Sequence, residues 1–234
     1  MAGKTKLMRQ SQLCYRCGAP ATTREHVPPK SFFPKGGNLQ LKTVPSCPAH
    51  NNAKSDDDQY LLAHISLHAA SGDNLAKRVF MKSIEPQLNR RPTFRGLLAD
   101  DSIRGGDGAV AYRVDTARFD NFFDHLCHAL YFDRYGSPFD DRTHTLGHCY
   151  FSLASGDPGE RQRVAMFKTM LGDFYNRFVA MTKLYEADRL DEIVYQNRFI
   201  DPAGAAASIT IAHSFYGVFE VASLLTRRSL MGAA

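Results

Sequence analysis

The 234-residue chain has no tryptophan, and its first 55 residues have almost no acid. Residues 1–55 carry nine lysines and arginines against one carboxylate, Glu25, a formal +8; residues 56–234 carry twenty bases and twenty-three acids, or −3. An incidental basic tail is one reading of that asymmetry. A face for a polyanion, nucleic acid being the commonest, is the other. An apolar leader is lacking too: Met1–Gln10 is basic without a hydrophobic run, so a cytoplasmic location is expected. Cysteine is scarce, five residues in all, which excludes a disulfide-dense miniprotein. In a reducing compartment clustered thiols point to metal rather than to disulfides. No internal repeat or low-complexity tract is found, and Gly105-Gly106-Asp107-Gly108 reads as a turn without the context of a phosphate loop. What is present is ordinary globular material: 44% apolar residues, with sixteen Phe and ten Tyr for a core.

Along the chain, residues 1–13 read as a loose basic arm and Cys14-Tyr-Arg-Cys17-Gly18 as a knuckle-type turn. Ala21–His26 can be extended, Val27-Pro28-Pro29 cannot be helix, residues 30–38 form a loop, and Leu39–Val44 alternates like a strand. Helix follows from Pro48, with Ser55-Asp-Asp-Asp58 as a capping box and Ser71-Gly72 as its end. Residues 73–90 read as helix, and 91–108, broken by Pro92, Gly96 and Gly105-Gly106, as the junction. Phe119–Tyr135 has strong helical apolar spacing and is stopped by Gly136-Ser-Pro138. Its Phe/Tyr stripe reads as core rather than as a base-stacking platform, which needs exposed rings. β-Prone runs follow at His148–Leu153, Phe178–Leu184, Ile193–Phe199 and Ser208–Leu225, the last as two strands turning near Gly217 or one bent strand. Ala203–Leu225 is read as buried strand rather than as a membrane span. The expected organisation is α+β: an N-terminal module over 1–72, a helical linker over 73–108, and an α+β domain with an antiparallel sheet over 109–234.

Chemistry concentrates in the first module. Cys14-x2-Cys17 and Cys47-x2-His50 are two ligand pairs separated by twenty-nine residues, donors that tetrahedral zinc prefers. A turn supplies the first pair. A helix start supplies the second, where residues three apart face the same way. Such an ion contributes folding energy to a module too small for a large core. His64 and His68 have helical metal spacing but no third ligand, and His125, Cys127, His128, His144, His148 and Cys149 read as buried thiols and satisfied imidazoles.

Between and after the pairs stand Glu25-His26, Asn38-Leu39 and Cys47-Pro-Ala-His50-Asn51-Asn-Ala-Lys54. In that order they resemble the HNH endonuclease family, the ββα-metal nucleases, over residues 14 to about 70. The resemblance implies a zinc-stabilised ββα-metal module that hydrolyses DNA phosphodiesters. His26 would be the general base, Glu25 and Asn51 the ligands of a catalytic Mg²⁺ or Mn²⁺, and Asn38 the residue that orients His26. Lys30 and Lys54 would meet phosphate. A neutral imidazole suits a base near pH 7, and oxygen donors suit Mg²⁺ or Mn²⁺. Many members carry Asp where this chain has Glu25. His50 can be read as the fourth zinc ligand or as a catalytic-metal ligand. A module that keeps the fold and binds nucleic acid without cutting it is the alternative, and cleavage of RNA is a third reading. For the C-terminal domain, target recognition, homodimerisation and sensing all stay open. No membrane partner is expected.

Overall fold

The computed structural model describes residues 13–35, 39, 41–52, 55–70, 72–99, 102–104, 106, 110–169, 172, 194–201 and 208–228. Strand β1 (Thr23–His26) pairs antiparallel with β2 (Thr43–Ser46), Glu25 opposite Val44 and His26 opposite Thr43. Between them a single 3-10 turn (Lys30–Phe32) drops Phe32 into the core. The second strand lies later than Leu39–Val44 predicts. Leu39 and Leu41 do pack against the core, but the ladder to β1 begins at Thr43. Apolar alternation thus marks what is buried, and cross-strand pairing marks the strand.

Helix α1 (Pro48–Asn52) follows at once, then α2 (Ser55–Ala69), whose first turn holds Asp56, Asp57 and Asp58 where the helix dipole favours anions. Helix α3 (Leu75–Val79) is capped by the Asn74 side chain, which accepts from Lys77 N–H. It runs through a π-helical turn (Phe80–Ile84) into α4 (Glu85–Arg90). The predicted junction contains a helix of its own, α5 (Pro92–Ala99): Pro92 sits in the first turn, where no N–H is needed, and Gly96 is carried inside it. A minimal hairpin, β3 (Ile103–Arg104) and β4 (Val110–Ala111), precedes the long α6 (Thr116–Tyr135). Asp115 caps its start and Gly136, at φ +73°, its end, a left-handed position that suits glycine. Phe119, Phe122, Phe123, Leu126 and Leu130 are buried, as core packing requires.

The rest is a four-stranded antiparallel sheet of β5 (His144–Tyr150), β6 (Tyr195–Ile200), β7 (Ser208–Phe215) and β8 (Phe219–Arg227), in the order β5-β8-β7-β6. The last apolar run is therefore two strands, turning at Tyr216-Gly217-Val218. The strand expected at Phe178–Leu184 lies outside the described residues, as do Asn38 and Lys54. The architecture is mixed helix and antiparallel sheet, an α+β arrangement. Among the described residues no helix is long and apolar enough to cross a membrane.

One continuous apolar core joins the N-terminal elements to the sheet. Phe32 lies 5.5 Å from Phe122 of α6 and 5.2 Å from Phe215 of β7, ring centre to ring centre. Ion pairs cross the same boundary: Lys42 with Asp133 at 2.6 Å, Arg118 with Asp57 at 2.8 Å, and Arg16 with Asp141 at 2.7 Å.

Candidate functional site

The backbone shapes the knuckle before any side chain acts. Cys14 N–H donates to the Ala19 carbonyl (2.7 Å), Gly18 N–H donates to the Cys14 carbonyl (3.0 Å), and Gly18 takes φ +71° to close the turn. Tyr15 N–H reaches the Pro45 carbonyl of β2 at 2.9 Å, which brings the turn beside the strand that ends at Ser46, next to Cys47. His50 stands one helical turn further on, in α1. The donor atoms of Cys14, Cys17, Cys47 and His50 all lie within 4.8 Å of one another, with His50 Nδ1 3.2 Å from the Cys47 sulfur and 3.6 Å from the Cys14 sulfur. A tetrahedral ion with zinc–sulfur bonds of about 2.3 Å needs sulfur–sulfur edges of about 3.8 Å, so the cluster has the right scale for a metal ion.

Electrostatics at the cluster point the same way. Burial opposes ionisation of Cys14, but the backbone N–H groups of Arg16, Cys17 and Cys47 and the His50 ring outweigh it, and the thiol is lowered to about 6. The Ala19 N–H favours the Cys17 thiolate, yet burial and the neighbouring Cys14 and Cys47 sulfurs raise that thiol above its usual value. Three sulfurs in one shell resist carrying three charges together. A divalent cation removes that conflict, and the residues present fit one. The set of four read from spacing is thus brought together, with Cys14 and Cys47 buried, His50 half-buried and Cys17 exposed.

Glu25, His26 and Asn51 lie on adjoining elements, since α1 packs against β1. The Glu25 carboxylate is buried at 5% exposure, whereas His26 and Asn51 are half-buried. Burial and the nearby Lys30 ammonium both lower the His26 imidazole, which favours its neutral form. Lys30 itself is exposed. Arg24 braces the ribbon from outside: its guanidinium donates to the Thr43 hydroxyl (2.8 Å) and carbonyl (2.9 Å).

A second polar constellation, on α6 and the sheet, has no signature in the sequence. Asp124 accepts from His148 Nε2 (3.0 Å); Ser223 joins His148 Nδ1 (2.8 Å) to His213 Nε2 (3.1 Å); and His213 Nδ1 meets the Tyr195 hydroxyl at 2.8 Å. One assignment satisfies the whole chain. Tyr195 donates to His213, His213 to Ser223, Ser223 to His148, and His148 to the Asp124 carboxylate. His213 is then neutral, consistent with burial, and after it the nearby His148, pressing it down to about 3. Asp124, His148 and Ser223 have the composition of a hydrolytic triad. Ser223 is wholly buried in mid-strand and its oxygen already serves two rings, so the set is structural. The partners stand far apart in the chain, which is why no local motif announces them. Similarly, His128 Nδ1 donates to the Asp124 carbonyl (2.7 Å), and Arg16, from inside the knuckle, hydrogen-bonds His128 Nε2 and the Asp141 carboxylate. His64 and His68 are ordinary α2 residues, ring-packed on Tyr60 at 4.4 Å and on Phe219 at 5.4 Å. Among the described residues, the Cys14, Cys17, Cys47 and His50 group is the one His/Cys/Asp/Glu cluster with metal-holding geometry.

No protein-family model, no curated protein and no solved structure matches the chain.

Proposed function

We propose that the chain is a metal-dependent endonuclease of the HNH type that hydrolyses phosphodiester bonds in DNA. The observation that carries this reading is the Cys/His cluster flanking an antiparallel strand pair and a helix that bear Glu25, His26 and Asn51 in that order. In this reading Cys14, Cys17, Cys47 and His50 hold a structural zinc, and Glu25 and Asn51 hold the catalytic Mg²⁺ or Mn²⁺. That second cation, when bound, supplies positive charge to the non-bridging oxygens and the leaving 3′-oxygen. His26 takes a proton from the attacking water at its unprotonated ring nitrogen. The water oxygen bonds to phosphorus and the bond to O3′ breaks. The departing oxygen takes its proton from solvent, leaving a 5′-phosphate and a 3′-hydroxyl. Lys30 and Lys54 hold phosphate, and Asn38 orients His26 through the loop. A place in genome defence or mobile-element biology suits such an activity.

Plasmid nicking with Mg²⁺ or Mn²⁺ tests the reading. Wild type is expected to nick, and His26→Ala to be slower by roughly 10²–10⁴-fold. Equal activity in both proteins would defeat it. One observation favours the alternative of a zinc-stabilised binding module without catalysis: the Glu25 carboxylate is almost wholly inside the protein. Retention of DNA by a wild type that does not cut would establish that alternative. Preference for RNA over DNA in the same assay would establish the third reading.

A further inference from the structure

The sequence nominates Lys30 and Lys54 as phosphate contacts; the fold adds a groove that no motif points to. It lies between the loop leaving the Lys30–Phe32 turn and the helix that runs through α3 and the π-helical turn, with a volume of about 380 Å³. Leu75 and Val79 line it at helical spacing, Arg78 and Lys82 stand on the same helical face, and Pro34 and Lys35 close the loop side. Lys35, Arg78 and Lys82 are exposed, and no acid lines the groove.

Four cations outside the groove are paired. Arg16, Lys42, Arg118 and Arg142 each contact an aspartate. Among the described residues Lys30, Lys35, Arg78 and Lys82 form no ion pair at all. Mutual repulsion of three cations around one concavity is a standing cost, and it is relieved by a multivalent anion. The chain itself links this groove to the candidate hydrolytic centre. Lys30, which acts electrostatically on His26, is five residues from Lys35 on one short loop.

We propose that the Lys35, Arg78 and Lys82 groove is a binding track for the sugar-phosphate backbone of duplex DNA, leading it to His26. This rests on the nuclease reading for its choice of polyanion. Contacts of this kind position the backbone without reading bases, so the track is indifferent to sequence.

The test uses the full chain carrying His26→Ala, so that the duplex stays intact, and measures fluorescence anisotropy of a labelled duplex over a salt series. Lys35→Glu, Arg78→Glu and Lys82→Glu together are compared with Arg142→Glu, Arg163→Glu and Arg227→Glu, which change the total charge equally at exposed sites off the groove. The groove variant should weaken binding and reduce the slope of log affinity against log salt by about three, one per lost phosphate contact. The control should keep the parental slope. A neutral variant, with Gln at the same three positions, should show the same loss of slope, which separates lost contacts from added repulsion or misfolding. Equal slopes for the groove and control variants would overturn the track, as would failure of the parent to bind duplex or its preference for RNA. Normal groove-dependent binding by a wild-type chain that never nicks supports the track while removing the nuclease reading.

Discussion

At the scale of single residues, burial of imidazoles sets the acid stability. His64 is 8% exposed, and desolvation lowers it from 6.5 to about 4. Between those values the unfolded chain binds a proton that the folded chain refuses. The stabilisation is therefore complete above about pH 6.5 and is lost as pH falls through the window, on the order of 3 kcal/mol by pH 4. Urea midpoints at pH 7 and pH 4.5 should show a smaller acid loss for His64→Leu than for wild type; equal losses would count against the assignment. His213, lowered further, should continue the decline at still lower pH. The legibility of such residues in the sequence follows how local their partners are. Cys14 and Cys17, or Cys47 and His50, declare themselves because each pair's spacing is short and chemically specific. Ser223 and His148 are seventy-five residues apart and meet only because β5 and β8 pair in one register. Neither carries any sign of that beforehand.

At the scale of elements, the knuckle, β1, β2 and α1 form a short unit whose strands are four residues each. An ion at the Cys/His cluster is the expected source of its order. Purified protein should carry one zinc per chain, and Cys47→Ser should lose it and melt more than about 5 °C lower. Undiminished metal content with unchanged melting would sink the structural-zinc reading. α6 is readable to its C-terminal end, where aromatic periodicity and a terminal glycine agree, but it starts at Thr116 behind the Asp115 cap, three residues before the Phe119 that periodicity gives. β2 was readable as a strand but displaced, since Leu39 and Leu41 are held by packing while pairing starts at Thr43. α5 was hidden behind Pro92 and Gly96, residues that suggest a break and are tolerated at a first turn and within a short helix.

At the scale of the whole molecule, the Lys30–Phe32 turn stitches the two halves together. Phe32 is fully buried against rings from α6 and β7, so truncating it empties a site shared by both. Phe32→Ala should cost roughly 3–5 kcal/mol and lower the melting of the entire chain as one transition, by calorimetry and circular dichroism alike. A separate transition of unchanged midpoint for the sheet would contradict that coupling. Contacts of this reach are invisible in a sequence read segment by segment, because a loop phenylalanine looks the same whether it faces water or a distant strand.

Arg16 extends the same logic to the cell. It sits between two cysteines of the cluster, yet its guanidinium is engaged by Asp141 and His128, more than a hundred positions away. Without an ion at that cluster, the chain would release the arm along with the knuckle, uncovering surface on both sides of the seam at once. Scarcity of a trace nutrient would then shorten the lifetime of the whole polypeptide, through the proteases that survey loosened proteins, rather than merely blunt one corner of it.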